Sequence, residues 1–206
     1  MKLRNKLTII SGIACLAFAG VGFAAWAFTK SVDSSAAVQA KVTAAIEAED
    51  LKVEDGNGNE ISALYLICDA PSGEEGLLPG NGIYWSTEAD GKDDLGAKSE
   101  ITALTLVGSV NEADHDIADI STYDGHFAST AVAAVSGTWV NIAASAALDQ
   151  TVTSTAADAD VEYVWNLPVP SYAQVPTSVA EVSAMQAEVS ALSLTFAFSF
   201  NVSAIH

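Results

Sequence analysis

Alternation of apolar and polar residues at period two dominates this chain, and it is clearest near the C-terminus. Leu192, Leu194, Phe196, Phe198, Phe200, Val202 and Ala204 alternate with Ser193, Thr195, Ala197, Ser199, Asn201 and Ser203. Successive side chains of a strand point to opposite faces, so this spacing predicts a half-buried strand with three Phe anchoring a core. The same period runs from Val38 to Ala48, with only Ala45 out of place. Leu51 and Val53 begin another stretch, which meets the turn sequence Asp55-Gly56-Asn57-Gly58-Asn59, and Ile61 to Cys68 returns from it as a β-rich run. Ile83–Ser86, Ile101–Val110 and Val161–Trp165 read as short strands, and Phe127–Val135 and Thr138–Ala144 as apolar runs around Ser136-Gly137. Only one segment has a helical period. Val179, Val182, Met185, Val189 and Leu192 lie three or four apart, Ser178 with Glu181 forms a capping box, and Pro176 sits just upstream. These signals predict a helix over 179–190. Many short strands, Gly-rich turns and one late helix imply an all-β, jelly-roll-like antiparallel β-sandwich.

The N-terminus has a different pattern. Lys2, Arg4 and Lys6 precede an uncharged, largely apolar run from Leu7 to Phe28 that closes on Ala25-Trp26-Ala27. Basic residues, an apolar stretch and small residues at Ala25 and Ala27 are the order of a secretory signal cut after Ala27. The apolar run is also about 20 residues long, enough to span a bilayer if retained. A pilin-type cut after Gly12 is a third reading, which leaves Ile13 to Ala27 as a packing helix. The organisation expected is a signal peptide at 1–27, a short segment without a core pattern of its own at 28–37, and a sandwich domain at 38–206. In that arrangement the chain is exported and meets the membrane only through its leader.

Charge narrows the partners. The chain carries 26 acids and eight bases, and five of those bases (Lys30, Lys41, Lys52, Lys92, Lys98) lie beyond residue 27, which gives residues 28–206 a formal charge of −21. No Lys or Arg follows Lys98. Nucleic-acid binding needs clustered cations and is not expected. Neither is binding to an anionic membrane surface. Copies so charged repel one another unless salt or cations screen them. Cys68 has no partner beyond the leader and lies in the apolar run Leu64 to Cys68, where it reads as a small buried hydrophobe.

Candidate chemistry is sparse. Asp55, Asn57 and Asn59 place oxygen ligands at alternate positions, as a calcium loop begins, but Glu60 and Leu66 stand where such a loop needs Gly and Glu. A hairpin turn is the plainer reading. Asp114, His115, Asp116, Asp119, Asp124 and His126 form a denser group suited to calcium or, through the His, to a transition metal. Glu88, Asp90, Asp93 and Asp94 form another acidic cluster, and both also read as solvated loops. No other cofactor is expected. Trp85, Trp139 and Trp165 suit either a sugar-binding face or a sandwich core, and Asn201-Val202-Ser203 has the form of a glycosylation sequon. No metalloprotease, nucleophile-elbow, P-loop or dinucleotide motif occurs, so no enzyme is expected.

Two short stretches carry a family resemblance. Gly20-Val21-Gly22-Phe23-Ala24-Ala25-Trp26-Ala27-Phe28-Thr29 resembles the SipW-type signal junction of the TasA/camelysin family of biofilm-matrix fibre subunits. The strand Leu192 to Phe200 looks like that family's closing strand, and archaeal pilus subunits of the same sandwich type are similar in style. The resemblance implies a secreted jelly-roll subunit that polymerises head to tail with other copies by donating its N-terminal segment. Phe28, Val32, Ala36, Ala37 and Val38 would be its anchors, paired along an open edge of the next copy. Such a contact does not close, so it generates filaments. The rival expectation is a monomeric cell-surface binding module for carbohydrate or calcium.

Overall fold

The computed structural model describes residues 23–34, 46–61, 63–71, 80–112, 123–155, 160–192 and 194–204. In chain order these form β1 (Phe23–Ser34), β2 (Ile46–Glu54), β3 (Ala63–Cys68), β4 (Ile83–Ser86), β5 (Ala103–Glu112) and β6 (Tyr123–Ser129). Then come β7 (Val135–Ser136), β8 (Val140–Ile142), β9 (Asp149–Ser154), β10 (Val161–Asn166), β11 (Pro170–Tyr172), α1 (Val179–Ser190) and β12 (Phe196–Ala204). A six-stranded sheet runs β4-β3-β1-β12-β6-β9, a three-stranded sheet runs β10-β5-β2, and a smaller one runs β11-β8-β7. The result is an all-β sandwich with one short helix near the C-terminus.

Its core follows from the alternation. Phe196, Phe198, Phe200 and Val202 of β12 are all buried, while Ala197, Ser199 and Asn201 on the other face are only partly covered. The Trp165 ring meets Phe196 and Phe198 edge-on at centroid distances of 5.7 and 5.2 Å, and Trp85 meets Phe196 at 5.8 Å. Such edge-to-face contacts suit the aromatic quadrupole. Two glycines let Phe200 in. A Cβ added at Gly125, beside Val202 on β6, would come within 2.9 Å of the Phe200 ring, and one at Gly108 on β5 would overlap it outright. The sheets therefore close over Phe200 because β5 presents no side chain there.

The helix occupies the residues its periodicity predicts. Ser178 caps it with extended backbone, and its hydroxyl accepts from Glu181 N–H at 3.3 Å. The reciprocal half of the box differs from expectation. Glu181 Oε2 accepts from Thr177 N–H and from Thr177 Oγ1 at 2.6 and 2.8 Å, one residue upstream of the cap. Met185 and Val189 are buried, and α1 lies against β1, β3 and β8.

The N-terminal strand is the main departure from expectation. Residues 28–34 do not form an unpaired tail. They lie parallel to β12, from Phe28 opposite Phe196 to Ser34 opposite Val202, in a sheet otherwise antiparallel. Backbone pairing demands only an extended chain beside an open edge, so the absence of a core pattern in 28–37 did not prevent it. Residues 1–22 and 35–45 lie outside the described residues, and with them Gly12, Ala36, Ala37, Val38 and most of the alternation predicted from Val38 to Ala48. What is described of that alternation starts β2 at Ile46, with a bulge between Ala48 and Asp50.

Candidate assembly site and acidic loops

Among the described residues only β1 joins the two halves of the large sheet, and it does so with a change of partner. Phe23 to Ala27 pair antiparallel with β3, from Phe23 opposite Ile67 to Ala27 opposite Ala63. From Phe28 onward the strand pairs with β12 instead. On its far side β3 pairs with β4, from Tyr65 opposite Ser86 to Cys68 opposite Ile83. The slot that β1 fills is thus bounded by β3 along its first five residues and by β12 along its last seven.

β3 is built for the middle of a sheet rather than its border. Leu64, Leu66 and Cys68 are fully buried and Ile67 nearly so, which makes both of its faces apolar over most of its length. A near-continuous apolar run is the sign of a strand covered on both faces. The sequence marks Ile61 to Cys68 as a β-rich run, and β3 forms within it over Ala63–Cys68. The run itself was the available signal that a neighbouring strand lies there. Burial first, then the negative charges of Asp69 and Glu188, push the Cys68 thiol up to about 12. It stays protonated at neutral pH and packs as a hydrophobe.

A carboxylate fixes the helix against the small sheet. Glu188 of α1 accepts three backbone N–H bonds from the turn between β7 and β8: Thr138 on Oε2, and Trp139 and Val140 on Oε1, each at 3.0 Å. Partial burial raises the Glu188 pKa, but the bonds from Trp139, Val140 and Thr138 outweigh it and hold the group below its ordinary value. Gly137 lets the carboxylate approach, since a Cβ there would overlap Glu188 Oε1.

The predicted ion ligands divide. Asp55 is occupied by its own turn, with Oδ1 accepting from Asn57 and Asn59 N–H at 2.8 and 2.9 Å and Oδ2 accepting from Asn59 Nδ2 at 3.0 Å. Burial raises its pKa, but the bonds from Asn59 and Asn57 together outweigh it and hold the group below the usual carboxylate range. This is the hairpin-turn reading of that motif. Asp93 does the same for Leu95 and Ala97, and Asp90 accepts from Lys92 N–H. Asp124 on β6 accepts from Thr153 Oγ1 of β9, and His126 lies 2.6 Å from Asp149 across the same strand pair. Asp114, His115, Asp116 and Asp119 lie outside the described residues. Among the described residues, no three His, Cys, Asp or Glu side chains are gathered in a way that could hold a metal ion.

Trp85 and Trp165 belong to the core, with Trp85 Nε1 donating to the Pro168 carbonyl at 2.6 Å, and Trp139 packs against that core partly covered. Asn201 stands within β12 opposite His126. Among the described residues no helix is long and apolar enough to cross a membrane. No family model, curated protein or solved structure matches this chain.

Proposed function

We propose that the chain is a secreted structural subunit that polymerises into extracellular filaments of the biofilm-matrix kind, each copy lending its N-terminal segment to the next. The observation that carries this reading is the slot between β3 and β12, filled by the chain's own first strand. Whatever pairs within one molecule pairs equally well between two, because the bonds are the same and only the connection differs. Residues 35–45, which link β1 to β2, reach roughly 35–40 Å when extended, far enough to enter a neighbouring sandwich. The strand held by its own molecule is then the self-complemented subunit, and the filament is its exchanged form. Main-chain pairing supplies affinity and the alternate residues Phe28 and Val32 supply register. The A-x-A junction and the apolar leader support export, and the resemblance at that junction supports the fibre assignment.

Deleting residues 28–37 behind an intact signal junction tests the reading. Electron microscopy of the secreted protein should show particles without filaments. Filaments of unchanged length would exclude this segment as the donor.

A further inference from the structure

The bond at which the leader is expected to be cut lies inside a paired strand. The A-x-A sequence places cleavage between Ala27 and Phe28. Both residues belong to β1, which runs unbroken from Phe23 to Ser34 as the third of six strands in the large sheet. We infer that the folded chain withholds this bond from the peptidase, so that removal of the leader and closure of the sheet compete. The inference stands on the leader and the sheet, whether or not the protein forms filaments.

The obstruction follows from the groups that the bond's neighbours already use. A peptidase reads an extended substrate largely through main-chain N–H and C=O groups, and a strand within a sheet has committed those groups to its partners. Upstream of the bond, Ala25 and Ala27, the two residues the peptidase must recognise, stand opposite Tyr65 and Ala63 of β3. Downstream, Phe28, Thr29 and Lys30 stand opposite Phe196, Ala197 and Phe198 of β12. β3 and β12 flank β1 on opposite edges. Whichever edge a cleft approaches, half of the segment it must read is already bonded along that edge. β1 also lies against β2 and α1, so its release disturbs more than the sheet.

Cleavage adds water across the Ala27–Phe28 peptide bond, leaving a carboxylate on Ala27 and a free amine on Phe28. The carbonyl carbon of Ala27 must be open to attack, so the segment has to leave the sheet first. Proteolysis of a folded chain then tracks the fraction of molecules in which that segment has opened. A chain cut before it folds loses residues 23–27 and with them every β1–β3 pair. A chain that folds first keeps those pairs and its leader. The cut and retained readings of the apolar run are therefore two outcomes of one competition, decided by which event comes first.

Full-length precursor, unfolded in urea and diluted into detergent buffer with purified signal peptidase, tests this. Tryptophan fluorescence follows folding, because Trp85 and Trp165 are buried. When the peptidase is added after increasing delays, the cleavable fraction should fall with the rate constant of the fluorescence change. The fully refolded precursor should be cut about tenfold more slowly than the freshly diluted chain. Ala63→Pro, at the end of β3 opposite Ala27, removes an N–H at that pairing and should restore cleavage with the fluorescence still native. A folded Ala63→Pro chain as refractory as the parent would overturn the inference, as would cleavage of the parent that is independent of delay. A precursor refractory even at zero delay would also overturn it, since the bond would then not be the peptidase's site. Where the variant fails to fold, the delay series on the parent decides alone.

Discussion

Glu188 shows how much one side chain can hold. It ties a helix to a two-strand turn almost fifty residues earlier through three N–H bonds, two of them partly buried. Bonds to a charged acceptor are worth about 1.5–3 kcal/mol against 0.5–1.5 for neutral ones, and unmet buried donors cost more than met ones gain. Glu188→Ala should therefore destabilise the domain by roughly 2–3 kcal/mol in urea unfolding, and Glu188→Gln by about half that, since the amide oxygen still accepts. The sign of the pH effect follows from the lowered pKa. The contribution is complete above the ordinary glutamate value of 4.5 and fades as pH falls through the lower value of the folded state. Unfolding midpoints measured from pH 6 down to pH 3 should fall less steeply for Glu188→Gln than for the parent. An equal slope would mean the carboxylate holds nothing. Nothing in the sequence marked Glu188, because a helix residue's distant backbone partners leave no periodic trace. Asp55 was legible by contrast, since its partners Asn57 and Asn59 lie within the same turn.

At the scale of elements, legibility followed the strength of local pattern. α1 and β4 appear where expected, and β12 does so from Phe196 rather than from Leu192, where the alternation starts. β9 was hidden because Asp149–Ser154 is largely exposed and its composition resembles a loop, so only its pairing with β6 makes it a strand. Pro168 and Pro170 hide β11, because proline lacks the N–H a ladder needs, yet Pro170–Tyr172 forms a short strand beside β8. β1 was obscured differently. The expected leader and the expected tail meet within it, and the slot it fills exists only once β3 and β12 are assembled. Packing across the sheets was likewise invisible from one strand alone. Gly108 lies in a β run, yet its lack of a side chain is what admits Phe200. Gly108→Ala should cost about 1–3 kcal/mol through overpacking, and Phe200→Ala about 3–5 kcal/mol through the cavity left behind. If Gly108→Ala in a Phe200→Leu background costs no less than in the parent, the two residues are not coupled and the packing account fails.

At the scale of the whole molecule, the proposed strand exchange favours association and the charge opposes it. Beyond residue 27 there are 26 acids and five bases. The described ion pairs are few and local: Lys98 with Glu100 at 2.6 Å, and His126 with Asp149 where the imidazole is protonated. Lys98 also sits 4.3 Å from the Tyr84 ring centroid, so that cation is engaged within its own subunit. Most of the negative charge is therefore left for solvent ions to screen. Repulsion between copies reaches about 30 Å at 0.01 M ionic strength and about 8 Å at 0.15 M. A head-to-tail polymer brings every copy within that longer range of its neighbours. Filament growth followed by light scattering should accordingly be slow at 0.01 M monovalent salt and rise steeply towards 0.15 M, with monomer stability nearly unchanged. Chelator added at constant ionic strength separates screening from a bound ion. Because the turn carboxylates Asp55 and Asp93 already serve their own backbones, screening alone should suffice and chelator should change little. A collapse of filaments on chelation would instead place a divalent cation among the acidic residues, with Asp114, Asp116 and Asp119 the first to replace by Asn. Growth indifferent to both salt and chelator would mean that the charge does not govern assembly, and that the N-terminal strand alone sets its rate.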